Sequence, residues 1–598
     1  MVKSDRAWVK GPTDVPLLQV TIAERLYTIS REFPDATAIK TPTCLLSYRE
    51  LDRRSEALAI RLADLGIGTG DRVAISLGNN AQYAVICYAC FKIGVVVVPL
   101  NPAYMAAQVI SALNHISASC FVVSTEVALP YKPRRSTSSL LDEVLGDSDG
   151  PSSFSSNIKS LQQVLLVDNS TGRINLFDFR FTALYDALIA TTSGELFTPR
   201  KGLTEADLAT IQFTSGTTSS PKAACLSHHN VLNNAILVGR GMQITERDVI
   251  CCPPPLYHCF GLVLGLLTAM NYGACLVLPS EAFDADAIRK SIIEDRPTAL
   301  YGVPTMFIAE LELFSKTNFQ SQDLLHLRTG VIGGSPIPPS LRHTLHEKLN
   351  LTDLASCYGL TESSPIVCMT VPSDSEGHKL STVGRVLPHT SIRIVARDDP
   401  AHVLAYGEKG ELCISGYGVM QRYWEDPSRT SDALFIEEDD LKQQIWLKSG
   451  DEAIINEDGF ISITGRIKDI IIRGGENIYP PEIENAILQC PGVGNVSVIG
   501  ISDDRYGEVI GAFIVVKNGW VTDATEGWEA KVKGDREVQW PRLTAEAIKT
   551  WVQDRLSKML VPKHVFWIDS MPLTASGKIE KYKLKELGMH LVASGRKL

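Results

Sequence analysis

The chain has 598 residues, too many for a single hydrophobic core, so two or more domains are expected. Hydrophobic residues at 44% and charged ones at 21% describe an ordinary globular protein. A net charge of −10 argues against general nucleic-acid binding, which needs a basic face, while leaving room for a local basic pocket that takes small anions.

In chain order, the N-terminus MVKSDRAWVKGP has no apolar signal core, and 13 cysteines, an odd number, read as scattered without a C-x-x-C pair, suit free thiols in a reducing compartment better than a disulfide framework or a zinc site. An intracellular, cytoplasmic protein is expected. Ser47 to Leu65 opens with Ser-x-x-Glu, a capping-box pattern, and repeats Leu51, Leu58, Leu62 and Leu65 at helical spacing. Val73, Ile75 and Leu77 alternate as a strand, 81–93 reads as helix, and VVVVP at 95–99 as a buried strand. Strand, helix, strand at this spacing predicts a βαβ unit and a parallel sheet. Residues 132–160, rich in serine, predict a loose surface insertion, after which QQVLLVD resumes the sheet. Phe260 to Pro279 is uncharged and long enough to span a membrane, but Asn-Tyr-Gly reads as a turn. A buried helix, a turn and a strand are expected there, with no transmembrane segment. Residues 517–541 predict a second insertion, inside a small α+β domain that starts near Lys468.

Ile211 to Leu226, IQFTSGTTSSPKAACL, is the most informative stretch. A strand end delivers the backbone to Thr214, and a turn rich in hydroxyls follows, closing on Lys222. Successive N–H groups in such a turn form an anion-holding concavity, and the lysine adds full positive charge. A polyphosphate is the natural guest. This is not a Walker A loop, because Lys222 follows Pro221 and precedes Ala223. Taken alone, a surface Ser/Thr turn explains it as well.

Three further stretches join it: CYGLTES at 357–363, where a tight Tyr-Gly turn is expected to present Thr361 and Glu362, WLKSGD and GRIKD with Asp451, Arg466 and Lys468, and PLTASGKIEK with Lys578 on a Ser-Gly turn. Each has a bland reading. Glu362 and Asp451 fit solvated loop acids, Arg466 a surface ion pair, and Lys578 a wet helix face shared with Lys581, Lys583 and Lys585. Their joint occurrence, in this order, changes the reading.

Together these stretches resemble the adenylate-forming superfamily of acyl-CoA synthetases, luciferases and peptide-synthetase adenylation domains, from about residue 20 to 588. PLYHCFG at 255–261, YGLTESSP and GRIKDIIIRGGENIYPPEIE are most similar to the medium-chain-type fatty acyl-CoA ligases. Two glycines of the family's phosphate loop are replaced by Ser219 and Ala223, at a cost of about 1 kcal/mol or more wherever φ > 0 is required. The resemblance implies an α/β fold: a large N-terminal domain, 1–467, of layered α/β subdomains with mostly parallel sheets, and a small mobile α+β C-terminal domain, 468–598, hinged at Lys468.

Residue by residue, it implies that Thr214, Ser215, Gly216, Thr217, Thr218 and Lys222 hold the β- and γ-phosphates of ATP. Gly333, Gly334 and Ser335 would flank the adenine, with Tyr358 of the Tyr358-Gly359 pair stacking on it. Thr361 would touch the α-phosphate, Glu362 bind Mg²⁺, and Asp451, assisted by Arg466, take the ribose hydroxyls. Lys578 would reach the substrate carboxylate and the α-phosphate. Arg473, Gly474, Gly475 and Glu476 would lie near CoA, and His258, Phe260, Val303, Gly330, Val331 and Gly333 would line the acyl pocket. For His258 a satisfied core histidine is an equal alternative.

The expected reaction is adenylation of an apolar carboxylic acid, such as a medium-chain fatty acid, followed by transfer to CoA. Fatty-acid metabolism and a secondary, specialised metabolite pathway leave the same sequence pattern. Alternatives are an acyl-AMP ligase that loads a carrier protein, an amino-acid adenylation enzyme, and a non-catalytic nucleotide or acyl binder; a carrier protein or a downstream acyltransferase is the expected kind of protein partner. The tail Arg596-Lys597-Leu598 is similar to the Ser-Lys-Leu peroxisomal address, but arginine replaces its small first residue, so an ordinary basic tail is expected.

Overall fold

The computed structural model describes residues 6–146, 155–190, 202–214, 222–316, 324–335, 337–436, 443–523, 541–574 and 577–594. Its first sheet has eight strands, in the order Ala183–Leu184, Gln163–Val167, Cys120–Ser124, Arg72–Ser76, Val96–Pro99, Leu208–Thr214, Lys222–Ser227 and Arg422–Tyr423. The first six run parallel and the last two turn antiparallel. Runs such as Val96–Pro99 are covered on both faces, which is why they read as unbroken apolar segments rather than alternating ones.

A second sheet of nine strands centres on the parallel strands Val249–Cys251, Ala299–Gly302, Thr329–Gly333 and Asp353–Gly359. The two sheets share one core. Val73, Ile75 and Val97 from the first meet Ile250, Tyr301 and Val331 from the second, with the helices Ala81–Lys92 and His228–Gly241 packed in the same cluster. A third sheet, built from Trp8–Lys10, Thr390–Val395, Gly410–Gly416, Ile445–Ile455, Leu434–Ile436 and Ile461–Arg466, is wholly antiparallel. "Mostly parallel" therefore describes the first two layers and not this one.

After a single 3₁₀ turn, Ile467–Asp469, a separate five-stranded sheet begins with Ile471–Arg473. Its long hairpin, Val493–Asp503 with Gly507–Val516, packs on the helices Pro480–Leu488 and Ala545–Gln553 on one side and on Lys581–Ser594 on the other. This α+β unit has its own apolar cores, and Lys468 is exposed in the linking turn.

Four sequence expectations need correction. Residues 138–145 are no loose insertion: Ser138–Leu145 is a helix that buries Leu141, Val144 and Leu145, an apolar stripe that the surrounding serines hide from a reading of composition. The capping box at Ser47 is half made. Ser47 Oγ accepts from the Glu50 N–H, while the Glu50 carboxylate turns to Arg53 and Arg54. Tyr358 and Gly359 end a strand rather than form a turn. Scattered as they are, the cysteines include one C-x-x-C spacing, Cys87 and Cys90, on a helix buried along its whole length, and both thiols are free, with burial raising their pKa values.

The uncharged stretch after residue 260 runs as a wide π-type helix, Phe260–Leu267, then the helix Thr268–Tyr272, a left-handed Gly273 and the strand Cys275–Val277. No helix among the described residues is long and apolar enough to cross a membrane. Residues 147–154 and 524–540, within the two expected insertions, and the tail Arg596-Lys597-Leu598 lie outside the described residues.

Candidate active site

The strands Leu208–Thr214 and Lys222–Ser227 are antiparallel neighbours with Thr214 opposite Lys222, so the hydroxyl-rich loop joins their ends. Ser215, Gly216, Thr217, Thr218 and Ser219 lie outside the described residues. Ala223 does not: it is buried within the strand, paired with Phe213, and has no positive φ. The glycine expected at that position is thus not required by the backbone, and alanine there carries no strain.

Lys222 Nζ lies 3.4 Å from the Tyr423 hydroxyl and 4.8 Å from the centre of its ring. That hydroxyl donates to Glu362 Oε1 at 2.8 Å. The same segment grips the backbone, since Met420 N–H donates to Glu362 O at 2.8 Å and Trp424 N–H to Ala223 O at 2.8 Å. One short strand therefore ties Lys222 to the turn that bears Glu362.

That turn, Thr361–Ser363, follows the strand Asp353–Gly359. Gly359 is obligatory, because a Cβ there would stand 1.8 Å from the Pro365 carbonyl oxygen. The buried Cys259 thiol lies beside this turn, and burial and Glu362 push its pKa up to about 12, with Thr361 pulling against that rise. Tyr358 donates its hydroxyl to Asp451 Oδ2 at 2.7 Å. Asp451, 5% exposed, is also opposed across the strand pair by Arg466, whose Nε lies 3.5 Å from Oδ1. Burial raises the Asp451 pKa, and Arg466 and Tyr358 pull against that rise.

Lys578 arrives from the other domain. Leu573 and Ile579 pair as a bridge, and Gly577, at φ +82°, turns the chain so that Lys578 faces the large domain. Its Cε lies 3.4 Å from where a Cβ on Gly334 would stand, and Gly334 itself has φ +83°. Burial and Arg466 lower the Lys578 pKa to about 8 against the opposing pull of Asp451 and Glu362. His258, half-buried beside it, is lowered to about 3 by burial and by the Lys578 charge, so it is neutral. Its Nδ1 accepts from the Phe260 N–H at 3.2 Å, which leaves the proton on Nε2.

The fold thus gathers Lys222, Thr361, Glu362, Tyr358, Asp451, Arg466, Gly334, His258 and Lys578 from both domains. Phe260, Val303 and Val331 share one apolar cluster, with the Phe260 ring 6.2 Å from that of Tyr301. Gly330 does not point there. Side chains alternate along the strand, and its even partner Ile332 packs on the opposite face with Leu300 and Leu354. Gly333 ends this strand, where a Cβ would stand 2.7 Å from Cys357 O, and half-buried Ser335 follows Gly334. Arg473, Gly474 and Gly475 are not at this site, because Arg473 bonds Met559 O at 2.5 Å and lies over the Tyr506 ring, both within the small domain. Three site residues escaped the sequence reading: Tyr423, Cys259 and Thr305. Cys259 sits inside a recognised motif, but Tyr423 and Thr305 act through pairings about 60 and 270 residues away, which no local spacing displays.

The AMP-binding enzyme family matches residues 26–424, and the AMP-binding enzyme C-terminal domain matches 482–578. Acyl-CoA ligase SID4 of Ajellomyces capsulatus is 37% identical over 98% of this chain and 94% of its own length. Medium-chain acyl-CoA ligase ACSF2, mitochondrial, of Mus musculus is 33% identical over 97% of this chain and 89% of its own. The crystal structure of ATP-bound MatB from Rhodopseudomonas palustris superposes with a TM-score of 0.77 at 24% identity, covering 96% of this chain and all of that one, a likeness of fold. The class defined here is that of the adenylate-forming, AMP-forming acid–thiol ligases, enzymes that use ATP and CoA. The chain belongs to the AMP-binding enzyme family.

Proposed function

We propose that the protein is an acyl-CoA synthetase that activates a medium-chain fatty acid or a similar apolar carboxylic acid through an acyl-AMP intermediate. One observation carries this reading: the side chain of Lys578, borne by a separate domain, lies against Gly334 and within electrostatic reach of Asp451 and Glu362. In the first half-reaction the substrate carboxylate attacks the α-phosphorus of ATP and pyrophosphate leaves. No general base is required, because the nucleophile is already an anion. The barrier is the meeting of an anion with a polyanion, so positioning and charge neutralisation decide the rate.

In this scheme Thr214 and Lys222, with the hydroxyls of the loop between them, take the β- and γ-phosphates. Gly333, Gly334, Ser335 and Tyr358 receive the adenine, and Asp451 the ribose hydroxyls. Thr361 and the Lys578 ammonium bind the α-phosphate and the attacking carboxylate. Glu362 suits Mg²⁺: it is a carboxylate oriented by Tyr423, and this ion is commonly held by one or two carboxylates together with substrate phosphates. When bound, the ion adds positive charge where the phosphates carry negative charge.

In the second half-reaction the CoA thiol attacks the acyl carbon, AMP departs, and the thiol proton passes to solvent. The thiol needs the space that Lys578 fills, so the small domain turns about Lys468 and brings Arg473, Gly474 and Gly475 toward the cleft. Phe260, Val303 and Val331 offer an apolar wall, and none of them bears a charge for an α-amino group, which favours an uncharged acyl tail. ATP–pyrophosphate exchange with a panel of fatty, aromatic and amino acids tests the reading, followed by thioester assays with CoA and with a phosphopantetheinylated carrier protein. Exchange with a medium-chain acid and transfer to CoA are expected. No exchange with any acid would leave a non-catalytic binder, and transfer to the carrier alone would make the protein an acyl-AMP ligase.

A further inference from the structure

The described residues of the hairpin that bears Lys578 are tied to one another, Ala575 and Ser576 lying outside them. Thr574 N–H donates to Lys578 O at 2.7 Å, Gly577 N–H to Thr574 O at 2.9 Å, and Lys578 N–H to Thr574 Oγ1 at 3.0 Å. Glu580 N–H closes the base on Pro572 O at 2.8 Å. These bonds couple Gly577 and Lys578 to Thr574, so the position of the Lys578 ammonium follows from where Gly577 is seated.

Its seat is the start of the helix Pro304–Ser315. Thr305, in the first turn, donates its hydroxyl to the Gly577 carbonyl oxygen at 3.1 Å. The surfaces there are in close contact. A Cβ on Gly577 would stand 3.0 Å from both Thr305 Oγ1 and Val303 Cγ2. Other contacts between the domains, such as Tyr479 Oη donating to Glu452 Oε1 at 3.3 Å and Lys409 Nζ 4.2 Å from the centre of the Tyr479 ring, gather on Tyr479, which follows closely on the linking turn. Being close to the pivot, they tolerate rotation, whereas the Thr305 bond exists only when the hairpin is home.

We propose that Thr305 is the positioning residue that seats the Lys578 hairpin, selecting the arrangement of domains that adenylates and taking no part in thioester formation. This rests on the two-step reaction proposed above. It separates Thr305 from a lining residue of the acyl pocket, since damage to that pocket would impair both steps.

The test compares Thr305→Val, which keeps the branched shape without the donor, with Thr305→Ser, which restores it. Two steps are measured separately: ATP–pyrophosphate exchange, and CoA thioester formation from supplied acyl-adenylate. Thr305→Val should lower exchange kcat about 3- to 10-fold, the value of one neutral hydrogen bond, with KM for ATP unchanged. Thioester formation should hold or rise, and Thr305→Ser should recover exchange. An equal fall in both steps, no fall in exchange, or no recovery by serine would overturn the proposal. Should the wild type show no exchange with any acid, the synthetase reading fails separately. The seat is then read from the rate at which acetic anhydride modifies Lys578, followed by mass spectrometry on the full-length protein. That rate should rise severalfold in Thr305→Val, and an unchanged rate would overturn the seat as well.

Discussion

The small domain carries two glycine hairpins, and they keep different company. Gly577 is pressed against Val303 and Thr305 of the large domain, and its neighbour Lys578 reaches Gly334. Gly474 and Gly475, at φ +60° and +89°, meet only their own domain: a Cβ on Gly474 would stand 3.6 Å from Tyr506, and one on Gly475 would have nothing within 4 Å. Both hairpins use glycine, for opposite reasons. At 577 the missing side chain lets two surfaces close, while at 474–475 it keeps open a surface that a narrow ligand arm can approach. A domain built this way can offer one hairpin at a time, which is what two successive reactions in one cleft demand.

The contrast is sharpest at the lysine. Lys578→Ala should lower ATP–pyrophosphate exchange by about 10²–10³, the usual effect of removing one preorganised electrostatic contact from a transition state. Next in size is Tyr423→Phe, which frees the Glu362 carboxylate and Lys222 from each other. Exchange should fall roughly 3- to 10-fold, with a higher Mg²⁺ concentration at half-saturation and an unchanged melting temperature. Gly475→Ala should affect the other step. With φ +89°, alanine is strained by about 1–2 kcal/mol, and CoA thioester formation should slow about 5-fold while exchange is unaffected.

A pH profile distinguishes the same two steps. In the proposed adenylation Lys578 acts as a cation, and its pKa is lowered to about 8, so kcat/KM for that step should be level below that value and decline as pH rises through it. Lys578→Arg, always charged, should abolish the declining limb even if its longer head lowers the plateau. The smallest effect belongs to His258. Held neutral with a pKa near 3, it contributes no limb between pH 5 and 8, and His258→Asn should leave the shape of the profile unchanged.

Much of the large domain was legible in the sequence because its central strands are doubly covered, so Val96–Pro99 and its parallel neighbours announce themselves as unbroken apolar runs. The antiparallel third sheet was not. Its first strand, Trp8–Lys10, joins Thr390–Val395 from the other end of the large domain, and pairing at that range leaves no mark in spacing. In the site, local motifs pointed to Thr361, Glu362, Asp451 and Lys578, whose chemistry is carried by residue type. What stayed hidden were the residues that orient them. Tyr423 and Thr305 are ordinary tyrosine and threonine until folding sets one against Glu362 and the other against Gly577. Gly330 shows the converse: it shares the motif of Val331, but the pleat turns it to the other face.

The most direct test of the two-hairpin scheme is the second half-reaction alone. Lys578→Ala, given CoA and chemically prepared acyl-adenylate, should form thioester at close to the wild-type rate while remaining defective in exchange. A thioester rate that falls in parallel with exchange would contradict the scheme, since the lysine would then serve both reactions or simply hold the fold together.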